Sequence, residues 1–265
     1  MRLSSYPQWK FQFAIITAFL FLASCKKEED VKNEFSIDIF YKQMESLTLE
    51  VAYETGAEPY DYTINGENVW LFAELNIESL FAQRPLQIDV LVPAGLAQMT
   101  LIPDQIKNGF TSNDILNLSD QYRQDEGNEV SGNIFILFLD GYFKQDDTVR
   151  QTIAGVHLSG TTVVAVFKPL VTSSHVTKII REFVEQSIVI HEIGHAIGLV
   201  KNGLPLTSSH QDIDNGAHCI NTDCVMYWQN ERTTNVTSFV QSYLGESKQV
   251  IFGPECIADV TDYEP

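Results

Sequence analysis

His191 and His195 stand four residues apart with Glu192 beside the first, giving the pattern H-E-x-x-H. On a helix, side chains at that spacing share one face about a turn from each other, so both imidazoles reach a single ion. The chemistry of such a pair is zinc binding by the two histidines, with the glutamate placed as general base toward a water on the metal. The plain alternative is two ordinary histidines on an ordinary helix.

The element that must carry the pattern is legible upstream of it. Val176, Ile179, Ile180, Phe183, Val184, Ser187 and Ile188 recur with a helical period, which predicts one long amphipathic helix from about Ser174 to Val200. Gly194 and Gly198 each cost such a helix about 1 kcal/mol relative to alanine, so another requirement must favour them. Gly198 is where the chain would turn out of the helix toward a third ligand.

A catalytic zinc usually has three protein ligands and one open position. Two downstream histidines offer themselves, His210 and His218, and Asp212, Asp214 and Glu231 are further oxygen donors. Cys219, Cys224 and Met226 follow His218 closely, and Cys256 stands alone near the end of the chain. His157 and His175 read as ordinary histidines, and the acidic pairs Asp146-Asp147 and Asp212/Asp214 as solvated loop residues.

From His191 to Met226 the sequence resembles the metzincin zinc metalloproteases, archaemetzincins above all, whose pattern runs H-E-x-x-H-x-x-G-x-x-H-C-x4-C-x-M and ends in a C-x-x-C pair. Position by position, the resemblance implies zinc ligation by His191, His195 and His218, a general base at Glu192 and a turning glycine at Gly198. Met226 matches the Met-turn residue that floors the site, and Tyr227 falls where some metzincins place an oxyanion-assisting tyrosine. Two departures stand out. Nineteen residues, Leu199 to Ala217, separate Gly198 from His218, and Lys201 occupies the place of the ligand in the short pattern. The insert is rich in turn residues, and lengthening a loop costs only about 0.6 kcal/mol per doubling, so His218 can still return to the metal. His210, inside the insert, is the competing third ligand. The second departure is Gly253, which stands where the first cysteine of C-x-x-C would be. Family members hold a second, structural zinc with both cysteine pairs; here Cys219, Cys224 and Cys256 leave three thiolates, completed by His210 or a carboxylate, or else Cys219 and Cys224 form a disulfide.

The ends of the chain add a location. Arg2 and Lys10 precede the apolar run Phe11 to Leu22, which is short for a membrane span and suited to a signal peptide. Leu22-Ala23-Ser24-Cys25 resembles a bacterial lipobox, which implies lipidation at Cys25, a membrane anchor in the cell envelope and a leader over residues 1–24. The charged residues 25–33 read as a tether, and an acidic run there resembles surface-export signals of some bacterial lipoproteins. The whole chain carries a formal net charge of −18, a surface that repels nucleic acid and argues against DNA or RNA partners.

Between these landmarks the pattern predicts strands at Phe35–Tyr41, Leu47–Tyr53, Leu86–Val92, Asn133–Leu139 and Thr161–Phe167, and helices at Val69–Gln83 and Asp114–Gln124. Asn133–Leu139, apolar throughout, suits a central strand buried on both faces. The expected class is α+β: a single zincin- or metzincin-like catalytic domain over residues 34–265, with a mixed twisted sheet, a long active-site helix and an irregular C-terminal part. The expected activity is zinc-dependent hydrolysis of peptide bonds in a peptide or protein substrate. The competing expectation is a non-catalytic surface lipoprotein whose zinc is structural and fully coordinated by protein.

Overall fold

The alternating segment after Glu45 forms β1 (Ser46–Glu54), which buries Leu47, Leu49 and Val51 on one face. The structure, a computed structural model, describes residues 36–63, 65–246 and 249–265; the expected leader, Cys25 and the tether lie outside the described residues. Phe35–Pro265 forms one unit. After β1 come α1 (Leu71–Phe81), β2 (Asp89–Leu91), β3 (Thr100–Ile102), β4 (Gly109–Phe110) and α2 (Ser112–Tyr122). There follow β5 (Ser131–Leu139), β6 (Tyr142–Gln145), β7 (Thr148–Arg150), β8 (Gly155–His157) and β9 (Val163–Phe167). The chain ends in helices α3 (Lys168–Ser173), α4 (Lys178–Ala196), α5 (Thr233–Gly245) and α6 (Pro254–Asp262). No helix among the described residues is long and apolar enough to cross a membrane.

The main sheet has the order β2-β1-β5-β9-β8, with β3 also pairing β1 farther along the edge that β2 uses. All pairs are parallel except β8 against β9. A small second sheet joins β4, β6 and β7. The apolar run at Ile134–Leu139 lies in β5 between β1 and β9, fully buried, as a strand with both edges paired and both faces covered must be. α2 is capped at its start by Thr111. Thr111 accepts from the Asp114 backbone N–H, and the Asp114 carboxylate accepts from the Thr111 N–H, a reciprocal capping box.

Helix α4 packs on β5, β8 and β9, and its other sides meet α1 and α5. A buried ion pair ties its middle to the end of β9: Lys168 bonds Glu185, and the same carboxylate accepts the Tyr60 N–H at 2.6 Å. The helix is shorter than expected because Ser174 to Thr177 break it from α3. At its other end Gly198, with φ of 97°, closes the helix: its N–H donates to the His195 carbonyl, and the Leu199 N–H donates to that of Gly194. This is the Schellman arrangement, and it turns the chain sharply at the residue expected to do so.

Two expectations are corrected. The strand expected over Phe35–Tyr41 is not formed by its described residues: Ile37–Phe40 is a 3-10 helix, capped by Ser36. Both edges of β1 are already taken, by β2 and β3 on one side and β5 on the other, so no place in the sheet remains beside it. The segment instead packs on the exit of α4, where the Tyr41 hydroxyl donates to the Ile197 carbonyl at 2.8 Å. The C-terminal part is less irregular than expected, because α5 and α6 are both regular helices. The Thr-Thr-Asn-Val-Thr-Ser start of α5 has low helix propensity, and burial of Val236, Val240 and Tyr243, with α5 packed on α4, overrides it.

Candidate metal centre

α4 places His191, Glu192 and His195 in its last two turns, all buried. The His191 Nδ1–H donates to the Val225 carbonyl at 2.7 Å, and the His218 Nδ1–H donates to the Asn215 carbonyl at 2.6 Å. A carbonyl can only accept, so Nδ1 carries a proton in both rings and Nε2 is the atom each ring turns toward the other histidines. Burial holds His195 down to about 3, which keeps its imidazole neutral. The His191 and His195 Nε2 atoms are 3.1 Å apart, and the His218 ring centre lies 5.3 and 4.9 Å from theirs.

Glu231 completes the group. Its Oε1 lies 2.8 Å from the His218 Nε2, 3.5 Å from that of His191 and 3.8 Å from that of His195. Four electron-pair donors facing one point need a cation between them. Tetrahedral zinc, with bonds of about 2.0–2.1 Å, sets its ligand atoms about 3.3 Å apart. The donor set of His191, His195, His218 and Glu231 fits a zinc site.

How His218 gets there answers the question raised by the nineteen-residue insert. The insert does not hang free. The Asp212 N–H donates to the His218 carbonyl, the Ile220 N–H to that of His210, and the Cys219 N–H to that of Met226. His210, the competing ligand, goes elsewhere. Its Nδ1 lies 3.4 Å from the Cys219 sulfur, and its Nε2–H donates to Asp259 at 2.8 Å. His210, Cys219 and Cys256 form a second group of potential ligands, all buried. Cys224 joins them with its sulfur 3.6 Å from that of Cys256, and the three cysteines are free thiols. Zinc–sulfur bonds of about 2.3 Å would put tetrahedral sulfurs about 3.8 Å apart, and a nitrogen about 3.6 Å from each; the His210–Cys219 and Cys224–Cys256 separations are near these, while Cys224 lies outside the group of His210, Cys219 and Cys256 whose ligand atoms are all within 4.8 Å of one another. Hydrogen bonds from the Cys224 and Cys256 thiols lower the Cys219 pKa, which favours the thiolate that a metal requires. Asp259 is the residue that sequence reasoning missed; it fixes the His210 ring as outer carboxylates fix metal-binding histidines.

Met226 is fully buried, with its sulfur against Gly194. A Cβ at position 194 would overlap that sulfur, which explains a glycine one residue before a ligand. Gly194→Ala gains about 1 kcal/mol of helix propensity but must force Met226 aside, and overpacking of this kind costs about 1–3 kcal/mol. The variant is expected to unfold at lower denaturant, with a net loss of about 1 kcal/mol; an unchanged midpoint would show that Met226 gives way freely.

Glu192 lines a cleft of about 320 Å³ with His195, Glu231, Gly155, Val156 and His157. Its Oε1 is buried and has no hydrogen-bond partner among the described residues. Burial first, and the charge of Glu231 second, push its carboxyl well above the usual range. Tyr227 is not in this cleft; it lines a separate cavity with Asn230, Phe239 and Tyr243. Of the two histidines read as ordinary, His157 lines the cleft with its Nε2–H donated to the Thr161 carbonyl at 2.8 Å, and the His175 Nδ1 accepts the Thr177 N–H at 3.0 Å. Asp212 is occupied by a bond from the Asn215 side chain.

No family model matches the chain, and no curated protein matches it. Among solved structures it is similar to the crystal structure of a zinc-dependent peptidase from Methanocorpusculum labreanum (strain Z), at 13% identity and a TM-score of 0.42, over 80% of this chain and 99% of that one.

Proposed function

We propose that this protein is a zinc metallopeptidase of the metzincin type, exported and anchored to a membrane through lipid on Cys25. The observation that supports the activity is the convergence of three imidazoles on one point, beside a buried Glu192 carboxylate whose Oε1 has no hydrogen-bond partner among the described residues and which lines the same cleft. His191, His195 and His218 would hold the zinc, which would supply a Lewis acid able to polarise a carbonyl and acidify a water. Glu192 Oε1 then takes the proton from the attacking water and passes it to the leaving amine, a role suited to a carboxyl whose proton affinity is raised. Strand β8 is the sheet edge beside this carboxylate: a Cβ on Gly155 would come within 2.9 Å of Glu192. An extended peptide added to that edge runs directly past the base. The anchor rests on the Leu22-Ala23-Ser24-Cys25 sequence alone.

A second zinc is proposed at His210, Cys219, Cys224 and Cys256. A four-ligand site without an open position is structural, and this one staples the insert that delivers His218.

One observation favours a different reading of the first centre. With Glu231 counted, it too has four protein ligands, as a purely structural site would. Peptide hydrolysis separates the two. Zinc-loaded protein is expected to cleave members of a mixed peptide library, to lose that activity to a chelator and to regain it with zinc. Zinc bound at both sites with no cleavage of any peptide would leave the structural reading standing.

A further inference from the structure

We infer that Glu231 is a displaceable fourth ligand of the histidine centre, holding the coordination position that an incoming oxygen donor such as a substrate carbonyl takes. The inference deepens the metallopeptidase reading and rests on it.

The placement of Glu231 is built, not incidental. After Met226 the chain makes a 3-10 turn, Trp228–Glu231, whose Asn230 side chain donates to both the Cys224 and the Val225 carbonyls at 3.1 Å. The Glu231 carbonyl accepts the Ala154 N–H just ahead of β8. The backbone is thus held from two sides, while only one carboxylate oxygen reaches the histidines.

Its surroundings are those of a ligand that leaves. The Glu231 side chain is 31% exposed, against 1% for His191. It forms part of the wall of the cleft, so it can swing toward open space without unpacking the core. Glu192 supplies the second observation. A structural four-ligand site has no use for a buried carboxylate beside it whose Oε1 has no hydrogen-bond partner among the described residues, and burying such an oxygen is costly. That oxygen gains a partner when a proton-bearing molecule enters the cleft. Replacing Glu231 at the metal by a neutral oxygen donor also removes one of two like charges from the neighbourhood of Glu192.

The test uses the cobalt-substituted full chain, whose visible spectrum reports the ligands, titrated with acetohydroxamate, a small neutral probe that binds metals through oxygen. In the native protein the probe must displace Glu231. In Glu231→Gln, whose amide is a poor ligand, and in Glu231→Asp, one methylene too short to reach, it meets no competitor. The expected result is at least a tenfold tighter probe affinity in both variants, together with weaker retention of the metal. Affinities equal within twofold would overturn the inference and leave the peptidase reading untouched. Cobalt held by a protein that refuses the probe in every form would also overturn it, in favour of the closed site. Failure of the histidines to hold metal at all, judged by unchanged stoichiometry in His195→Ala, would overturn the peptidase reading and this inference together.

Discussion

Glu192→Gln is expected to reduce peptide hydrolysis by about 10²–10⁴-fold, the usual worth of a positioned general base. Zinc content should not change, because the ligand atoms belong to His191, His195, His218 and Glu231. Stability should hold or rise. Glu192 is buried, its Oε1 is unpartnered, and its proton affinity is raised by burial and by Glu231, so the charge it carries works against the fold. Removing that charge at constant shape relieves the conflict. Loss of activity with an equal or higher melting temperature is therefore the signature of a base kept for chemistry. Retained hydrolysis would remove Glu192 from the mechanism, and a large loss of zinc would show that it serves the metal instead.

Cys256→Ala should act on both centres at once. It is expected to lower the zinc content from two ions per chain to one or none and to destabilise the fold by more than about 4 kcal/mol, the scale reached when a structural metal is lost. Cys256 begins the first buried stretch of α6 and faces Cys219 and His210, which bracket the stretch that carries His218. Without the shared ion, the segment from His210 to Cys219 loses its staple, and His218 loses the fixed approach that three backbone hydrogen bonds now give it. Hydrolysis should fall with it, although Cys256 touches neither Glu192 nor the cleft. His210→Cys makes the control: four thiolates still close a tetrahedral site, so this variant should retain two zinc ions. Two ions per chain and an unchanged melting temperature in Cys256→Ala would discard the second site.

The parts of the fold legible in the sequence were those governed by local period. The buried run of β5, the capping box of α2 and the Schellman turn at Gly198 each follow from residues close together in the chain. Elements that escaped depended on distant partners. Ile37–Phe40 has the alternation of a strand but meets a sheet whose adjacent edges are filled. α5 begins with residues that favour extended chain and is helical because α4 offers an apolar face. The short β8, unremarkable in sequence, becomes a wall of the cleft only through its pairing with β9.

The same division runs through the site. The sequence by itself determined that His191 and His195 share a helix face with Glu192 close by, because a spacing of four leaves a helix no other geometry. It offered His210, His218, Asp212, Asp214 and Glu231 as further donors, and favoured His218 over His210 through the metzincin resemblance alone, since a long insert permits many closures at nearly equal entropic cost. The tertiary structure decided among them: His218 and Glu231 meet the helical pair, and His210 joins the cysteines against Asp259. That choice is made by contacts between residues far apart in the chain, which no local pattern encodes.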